Sequence, residues 1–227
     1  MLAGAGVRRH PRTGLVRIAR ALSVAALIGV GAGVGVRLLS AGAHSAPTVV
    51  STRFGMHGEA AWAAGARPAP AIEGLRDQTG GPFSLASLRG RTVAIVFFDS
   101  HCHQECPLEG SALSLAERSL TAAQRPVLVA VSVDVLDTPA SAAAAARAWG
   151  LAGVAPWHWL IGTRRQLAPV WAAYHIYVAP RPANGDIAHT EALYLVDRRG
   201  YERSAYLWPF AQRFVTLDLR TLAGGRA

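Results

Sequence analysis

The chain of 227 residues is 51% apolar, which is enough to bury a hydrophobic core and excludes disorder throughout. Its net charge of +9 is concentrated at the N-terminus, where six of the 23 basic residues precede residue 41 without an acid. From residue 41 onward, 17 basic residues accompany 14 acidic ones. This near balance argues against a nucleic-acid-binding surface.

The first forty residues are typical of an export segment. An arginine-rich leader, residues 1–20, precedes sixteen residues without charge, and the positive-inside rule keeps such a leader in the cytoplasm. We therefore expect residues 21–40 to be a transmembrane anchor, or a signal segment that is cleaved at the small residues 41–43. In both cases the rest of the chain is predicted to lie outside the cytoplasm, tethered to the cell membrane or exported.

Residues 41–71 mix Ala, Gly, Pro and Ser with little periodicity, which predicts a flexible linker. The globular domain is expected to begin near Ile72 and to occupy residues 72–227. Its first predicted elements are two short strands, 72–75 and 83–85, on either side of a glycine-containing turn.

Two runs have the pattern of buried central strands. Thr92–Phe98 is β-branched, aromatic and uncharged, which is typical of a strand covered on both faces. Pro126–Asp134 has the same character. Between them a helix is expected from Pro107 to about Gln124, because proline suits the first helical turn and the apolar residues share one face.

The remaining elements continue the alternation. Helices are predicted at 138–149 and 163–175, and strands that alternate with helices imply parallel pairing. Residues 191–207 have the pattern of a hairpin with its turn at 197–200. A final helix is expected from the helical spacing of Phe210, Phe214 and Leu217.

The chain has two cysteines, Cys102 and Cys106, which lie between a predicted strand and a predicted helix in DSHCHQECPLEG. Positions i and i+4 of a helical turn are about 6 Å apart, so a disulfide could form in an oxidising compartment. A bond that closes so short a loop stabilises little, however. Free N–H groups at a helix N-terminus lower a thiol's pKa, and thiolates serve both redox exchange and metal binding. The location therefore favours chemistry over a structural disulfide.

A stable Cu(II) site would add a nitrogen donor to two thiolates. His189 follows a long polar loop, Val178–Ala188, and stands just before a strand, which is a usual setting for a site residue. His101 and His103 are nearer in sequence, but adjacent side chains on a tight turn diverge, so they are only alternative or extra ligands. No role in the site is expected of His158 or His175.

Glu105 and Glu109 fall in the first turn of the helix predicted after the cysteines. Carboxylates are favourable at a helix N-terminus, so we expect a solvated acid pair there. Asp134 and Asp137 follow the second buried strand and are expected to hold their loop rather than to bind metal.

Four runs, RTVAIVFFDSHCHQECP, VSVDVLDTP, WHWLIG and AHTEALYLVDRRG, resemble in order and spacing the Sco/SenC family of membrane-tethered, thioredoxin-like copper proteins. The resemblance covers about Ile72 to Phe214. It implies an α/β, thioredoxin-like fold with a central mixed sheet flanked by helices. It also implies that one copper ion, Cu(I) or Cu(II), is bound by the thiolates of Cys102 and Cys106 and the imidazole of His189.

The sequence departs from the family pattern beside the implied imidazole ligand. The family commonly has Asp directly before the histidine, whereas here that position is Ala188 and Asp186 lies three residues before His189. A hydrogen-bond partner beyond the ligands usually orients a metal-binding imidazole. The replacement of Asp by Ala188 therefore affects how the His189 ring is oriented.

The resemblance implies an assembly factor that delivers copper to the dinuclear copper centre of cytochrome c oxidase, or prepares the thiols of that centre. Its partner would be the copper-bearing oxidase subunit or another exported copper or thiol client. The alternative is a membrane-tethered thiol–disulfide oxidoreductase in which Cys102 and Cys106 are redox-active without metal. Redox motifs usually have Cys-x-x-Cys spacing and need no separate histidine, which favours copper. A binding module with a plain disulfide is a third interpretation.

Overall fold

The structure, a computed structural model, describes residues 52–154 and 156–225, and the expected leader and export segment lie outside these ranges. The strands are β1 (Ala60–Ala61), β2 (Leu75–Arg76), β3 (Pro82–Phe83), β4 (Val93–Phe98), β5 (Val127–Ser132), β6 (Trp157–Leu160), β7 (Ala192–Val196) and β8 (Glu202–Leu207). The helices are α1 (Glu105–Arg118), α2 (Pro139–Ala148), α3 (Arg164–Ala173) and α4 (Gln212–Ala223). Within the described ranges, no helix combines the length and the apolar character needed to cross a membrane.

Six strands form one mixed sheet in the order β1-β8-β7-β4-β5-β6, and β2 and β3 form a separate hairpin. Strands β4, β5 and β6 pair in parallel, because α1 and α2 each return the chain to the same edge before the next strand. Strand β7 runs antiparallel to both β4 and β8. The predicted α/β fold with a central mixed sheet flanked by helices is confirmed.

The core lies on both faces of this sheet. All six residues of β4 and all six of β5 are buried, as their uncharged sequences predicted. Alternate side chains point to opposite faces, so Phe98 packs with α1, α2 and α4 whereas Phe97 packs with α3. Cys106 belongs to the first of these two clusters, which ties the cysteine pair to the core.

Helix α1 begins two residues before the proline at which the sequence predicted its start. Pro107 lies within the first turn, where a missing N–H breaks no helical hydrogen bond. The helix ends at Arg118, and the end predicted near residue 124 is instead a short 3₁₀ turn, Ala122–Gln124.

Two other predictions need correction. Strand β6, within WHWLIG, was not predicted, because a run of four residues is too short for its pattern to distinguish a strand from a loop. The face predicted for the last helix is also wrong. Phe210 lies before α4 begins and Leu217 is 41% exposed, whereas the inward face carries Val215, Leu219 and Leu222.

The segment from Met56 to residue 71, which was predicted as part of a flexible linker, packs on the domain instead. Met56 is fully buried, and Ala60 of β1 pairs with Ala205 of β8. His57 Nδ1 lies 2.6 Å from the buried carboxylate of Asp218 in α4. The small and polar composition concealed these contacts, which depend on partners more than 140 residues away in the chain.

The docking of this segment gives a stability prediction. Met56→Ala should lower the free energy of unfolding by about 2–5 kcal/mol, because it removes a fully buried side chain. Phe54→Ala is the matched control, since Phe54 is 51% exposed, and it should cost less than about 0.5 kcal/mol. Urea unfolding measures both, and equal effects would show that the segment does not contribute to the core.

Glu117 in α1 gives a prediction about pH. The residue is 1% exposed, neither carboxylate oxygen has a hydrogen-bond partner among the described residues, and burial raises the pKa to about 8. The folded state therefore keeps a proton that the unfolded chain releases above about pH 4.5. The free energy of unfolding should consequently fall as pH rises from 4.5 to 8.

The size of this effect is measured by urea unfolding at pH 5 and pH 8. In wild type, Glu117 should lower the free energy of unfolding by on the order of 2–4 kcal/mol between pH 5 and pH 8. Glu117→Gln should remove this decrease, because the amide cannot ionise. Glu73→Gln, at an exposed position, is the control and should keep the wild-type dependence. An unchanged dependence in Glu117→Gln would contradict the burial of an unpaired carboxyl.

Candidate metal and thiol site

The cysteine loop, residues 99–106, joins the end of β4 to the start of α1. Cys102 is half-buried and Cys106 is fully buried, and both are free thiols. The backbone N–H of Cys106 donates to Cys102 Sγ at 3.4 Å. This donor is available because the first N–H groups of a helix have no partner within the helix. The sulfur of Cys102 is therefore held at the N-terminus of α1, as the sequence predicted.

The two thiols have opposite pKa shifts. A hydrogen bond from the Cys106 thiol, together with backbone N–H groups, lowers the pKa of Cys102, although burial and the carboxylate of Asp186 oppose this. Donation of that hydrogen bond, with burial and the nearby carboxyl of Glu109, raises the pKa of Cys106. Cys102 is consequently the first to become a thiolate, while Cys106 keeps its proton.

The histidine loop, residues 178–189, brings His189 to the cysteines from between α3 and β7. Its Nε2 lies 3.8 Å from Cys106 Sγ, and its Nδ1 lies 3.1 Å from the carbonyl oxygen of Thr190. A carbonyl only accepts, so Nδ1 carries the proton and Nε2 presents its lone pair toward the sulfur. Burial lowers the pKa of His189, which favours the neutral imidazole that metals bind.

The structure thus brings together Cys102, Cys106 and His189, and it directs the other candidate histidines elsewhere. His101 Nδ1 lies 3.0 Å from Asp134, and the exposed His103 lies 3.2 Å from Asp186. Among the remaining histidines of the described ranges, His158 pairs with Asp77, and His175 is exposed after the end of α3.

The donor set suits copper. His189 Nε2 lies 3.8 Å from Cys106 Sγ, and Cys102 and His189 line the same open pocket together with Asp186. Thiolates are the ligands that Cu(I) prefers, and an imidazole extends the range of such a site to Cu(II). The residues present therefore fit a bound copper ion, and Cys106 would have to release its proton to contribute its sulfur.

Glu109 is not the solvated acid that the sequence predicted. It is fully buried without a hydrogen-bond partner among the described residues, and burial raises its pKa well above the usual range, with further contributions from Glu191 and Cys102. Because it lies three residues after the buried Cys106, it shares the inward face of α1. Glu105 is exposed and accepts a hydrogen bond from the Trp208 indole at 2.6 Å.

The contacts of two residues in the histidine loop were not predicted from the sequence. Arg181 forms an ion pair with the buried Asp134, and Asp186 accepts backbone hydrogen bonds from the cysteine loop. No local spacing indicates these contacts, because the partners are 47 and more than 80 residues away. Asp134 and Asp137 do bond within and beside their own loop, to Leu136 N and Ser100 Oγ, as expected.

A mixed sheet with a cysteine pair at a strand-to-helix junction, faced by a histidine from a later loop, defines a thioredoxin-like thiol protein with two sulfur donors and one nitrogen donor. The SCO1/SenC family model matches residues 74–222. The chain belongs to this family. No curated protein sequence matches the chain significantly.

Several solved structures resemble the domain. The Bradyrhizobium japonicum protein ScoI, with copper bound, is 25% identical with a TM-score of 0.56, and the match covers 68% of this chain and 99% of that one. Copper-bound yeast Sco1 is 20% identical with a TM-score of 0.60, covering 71% and 91%. BsSco, described as a cytochrome c oxidase assembly protein with a disulfide switch, is 19% identical with a TM-score of 0.58, covering 70% and 94%. These likenesses confirm the thioredoxin-like fold.

The hydrogen bond between the two thiols gives a prediction about ionisation. Cys106→Ala removes the donor, so the pKa of Cys102 should rise, whereas Cys106→Ser keeps a hydroxyl donor and should hold it lower. Each variant has a single cysteine, so the pH dependence of the alkylation rate reports Cys102 alone. The same pKa in both variants would show that Cys106 does not set it.

Proposed function

We propose that this chain is a copper-binding assembly factor whose cargo is copper and whose client is the dinuclear copper centre of cytochrome c oxidase. The observation that carries the proposal is that His189 Nε2 lies 3.8 Å from Cys106 Sγ, while Cys106 N donates to Cys102 Sγ, so the three donors are linked in one site. An imidazole supplied by a separate loop has no use in simple dithiol exchange. It is what a site that holds copper in both oxidation states requires.

The relatives support this choice of metal and client. Copper is bound in the ScoI structure from Bradyrhizobium japonicum, which shares 25% of its sequence with this chain. BsSco is described as a member of the Sco family of cytochrome c oxidase assembly proteins. We transfer both properties to this chain, because it has a pair of free thiols and an imidazole 3.8 Å from one of them, and burial favours the neutral form of that imidazole.

The protein's own residues divide the work of holding the cargo. Cys102 is half-buried and more acidic, so it is suited to the first contact with an arriving or departing ion. Cys106 is buried and must lose its proton, which makes binding weaker as pH falls. Bound copper would add a Lewis-acidic centre that a client's thiolates can compete for.

We also propose that the domain works outside the cytoplasm, on a membrane tether. The support is the arginine-rich leader and the uncharged stretch that follows it within residues 1–40. Client copper centres and client thiols on that side of the membrane are exposed to oxidation, so a carrier there must be reduced before it loads.

Copper titration of the reduced protein tests the proposal. Wild type should bind one copper per chain and show a sulfur-to-copper charge-transfer band with Cu(II). His189→Ala should lose that band, because Cu(II) needs the imidazole nitrogen. It should weaken Cu(I) binding by at least about tenfold without abolishing it, because the two thiolates remain. His103→Ala is the matched control, since His103 is exposed and not directed at the sulfurs, and it should behave as wild type.

Oxidation and competition complete this experiment. Protein with a Cys102–Cys106 disulfide should take up no copper, because its ligands are no longer thiolates. An excess of Zn(II) should not displace Cu(I), since zinc follows copper in affinity for soft sulfur ligands. Equal copper content in the oxidised and reduced proteins would exclude the site.

A second candidate function has its own support in the asymmetry of the two thiols. The Cys102 thiolate could attack a client disulfide and release one client thiolate, forming a mixed disulfide. Cys106 would then lose its proton and attack Cys102 Sγ, which releases the second client thiolate and leaves the protein oxidised. If wild type retains no copper but reduces a model disulfide, and His189→Ala reduces it equally well, this oxidoreductase replaces the copper carrier.

A further inference from the structure

We propose that Arg181 and Asp186 are positioning residues that latch the histidine loop onto the cysteine side of the domain, and that these two latches set how easily His189 moves away from the two sulfurs. The inference rests on the proposed function in one respect only, that His189 is a copper ligand. The latches themselves are contacts of the metal-free protein. Neither touches His189.

The histidine loop is an arm that is fastened at its base. Ala179 N donates to the carbonyl of Ala188 at 2.9 Å, and Thr190 N donates to the carbonyl of Tyr177 at 2.9 Å. Ile187 is 6% exposed and anchors one side of the arm. His189 lies between Ala188 and Thr190, so these two bonds must open before it can move, but they do not hold residues 181–186 against the cysteine loop.

The first latch is an ion pair that buries a carboxylate. Asp134, which follows β5, is fully buried, and its Oδ2 pairs with the Arg181 guanidinium. Asp99 and Asp137 lie beside it and are nearly as buried. Among the described residues, positive charge at this cluster can come from Arg181 and from His101. Loss of Arg181 would leave three carboxylates with one imidazole, so the cluster draws the arm inward.

The second latch joins the two loops directly. The carboxylate of Asp186 accepts the backbone N–H groups of His103, at 3.0 Å, and of Gln104, at 3.1 Å, and it lies 3.5 Å from Cys102 Sγ. These N–H groups precede α1 and would otherwise need water as a partner. Ala188, the residue beside the histidine, has no polar side chain, so Asp186 provides the carboxylate contact between the loops.

The two latches hold the two ends of residues 181–186, so they should be cooperative. If either is released, residues 181–186 lose one of two attachments, and the remaining one must hold the arm alone. The core is not involved, because β4, α1 and β7 keep their own partners. His189 can therefore leave the sulfurs by a local opening that also breaks the two bonds at the base, without global unfolding.

Hydrogen exchange of the reduced, metal-free protein tests the latch without copper. Arg181→Met should speed exchange of the His103 and Gln104 amides about five- to tenfold, although Arg181 does not contact them. Asp186→Ala should likewise speed exchange of the Ala179 amide at the base. Arg165→Met and Glu73→Gln, at exposed positions on the domain, are the controls and should change neither.

Conservative variants and salt separate positioning from general damage. Arg181→Lys keeps the charge and should restore most of the protection, and Asp186→Asn keeps an acceptor oxygen and should restore part of it. Added salt should speed the same amides in wild type but not in Arg181→Met, because screening weakens the partly exposed pair. The double variant should open little more than either single variant if the latches are cooperative.

Transfer of Cu(I) from the loaded protein to a chelator gives the functional readout. Both Arg181→Met and Asp186→Ala should release copper about fivefold faster than wild type at unchanged stoichiometry. If wild type binds no copper, the proposed function fails, while the amide exchange still decides the latch. If wild type binds copper and the variants match it in both exchange and release, the latch is wrong and the proposed function stands.

Discussion

The direct passage from β4 into α1 is the constraint on which the site depends. Strand β4 is buried over its whole length in the middle of the sheet, so its end is fixed. The chain then has only the cysteine loop in which to turn before α1 begins at Glu105. This places Cys102 at the free N–H groups of the helix and Cys106 on its buried face. The Cys106 thiol and the backbone N–H groups stabilise the Cys102 thiolate, and Cys106 keeps its proton because it donates that hydrogen bond and is buried.

The buried acids of α1 show what this geometry costs. Glu109 and Glu117 both point inward and both lack a hydrogen-bond partner among the described residues, so burial favours their neutral forms. A neutral Glu109 adds no full negative charge next to Cys106. An ionised one would oppose the second thiolate that a dithiolate metal site needs. The desolvation of this carboxyl is therefore compatible with the site, although it reduces the stability of the fold at higher pH.

The sequence predicted those parts of the molecule that depend on local pattern. The strands β4 and β5, the hairpin of β7 and β8, and the cysteine pair at a helix start are all visible as runs of one residue class or as fixed spacing. The docked segment at Met56 and the contacts of Arg181 and Asp186 depend on partners that are far away in the chain, so no window of sequence contains them. Glu109 was misjudged because acids near a helix start are usually solvated, whereas this one lies three residues after the buried Cys106 and shares its face.

Two groups of metal-ligating side chains lie next to each other, and their chemistry separates them. Asp99, His101, Asp134 and Asp137 offer ligand atoms within 4.8 Å of one another, which is a set of mainly hard oxygen donors. Arg181 already brings a positive charge to this group through Asp134. Copper prefers sulfur donors to such oxygens, which is why the proposed copper site is at Cys102 and Cys106. Arg181 offsets the negative charge of the oxygen donors and, in the proposed latch, holds the histidine loop beside the sulfur donors. The ion pair in the first group therefore helps to position His189 in the second.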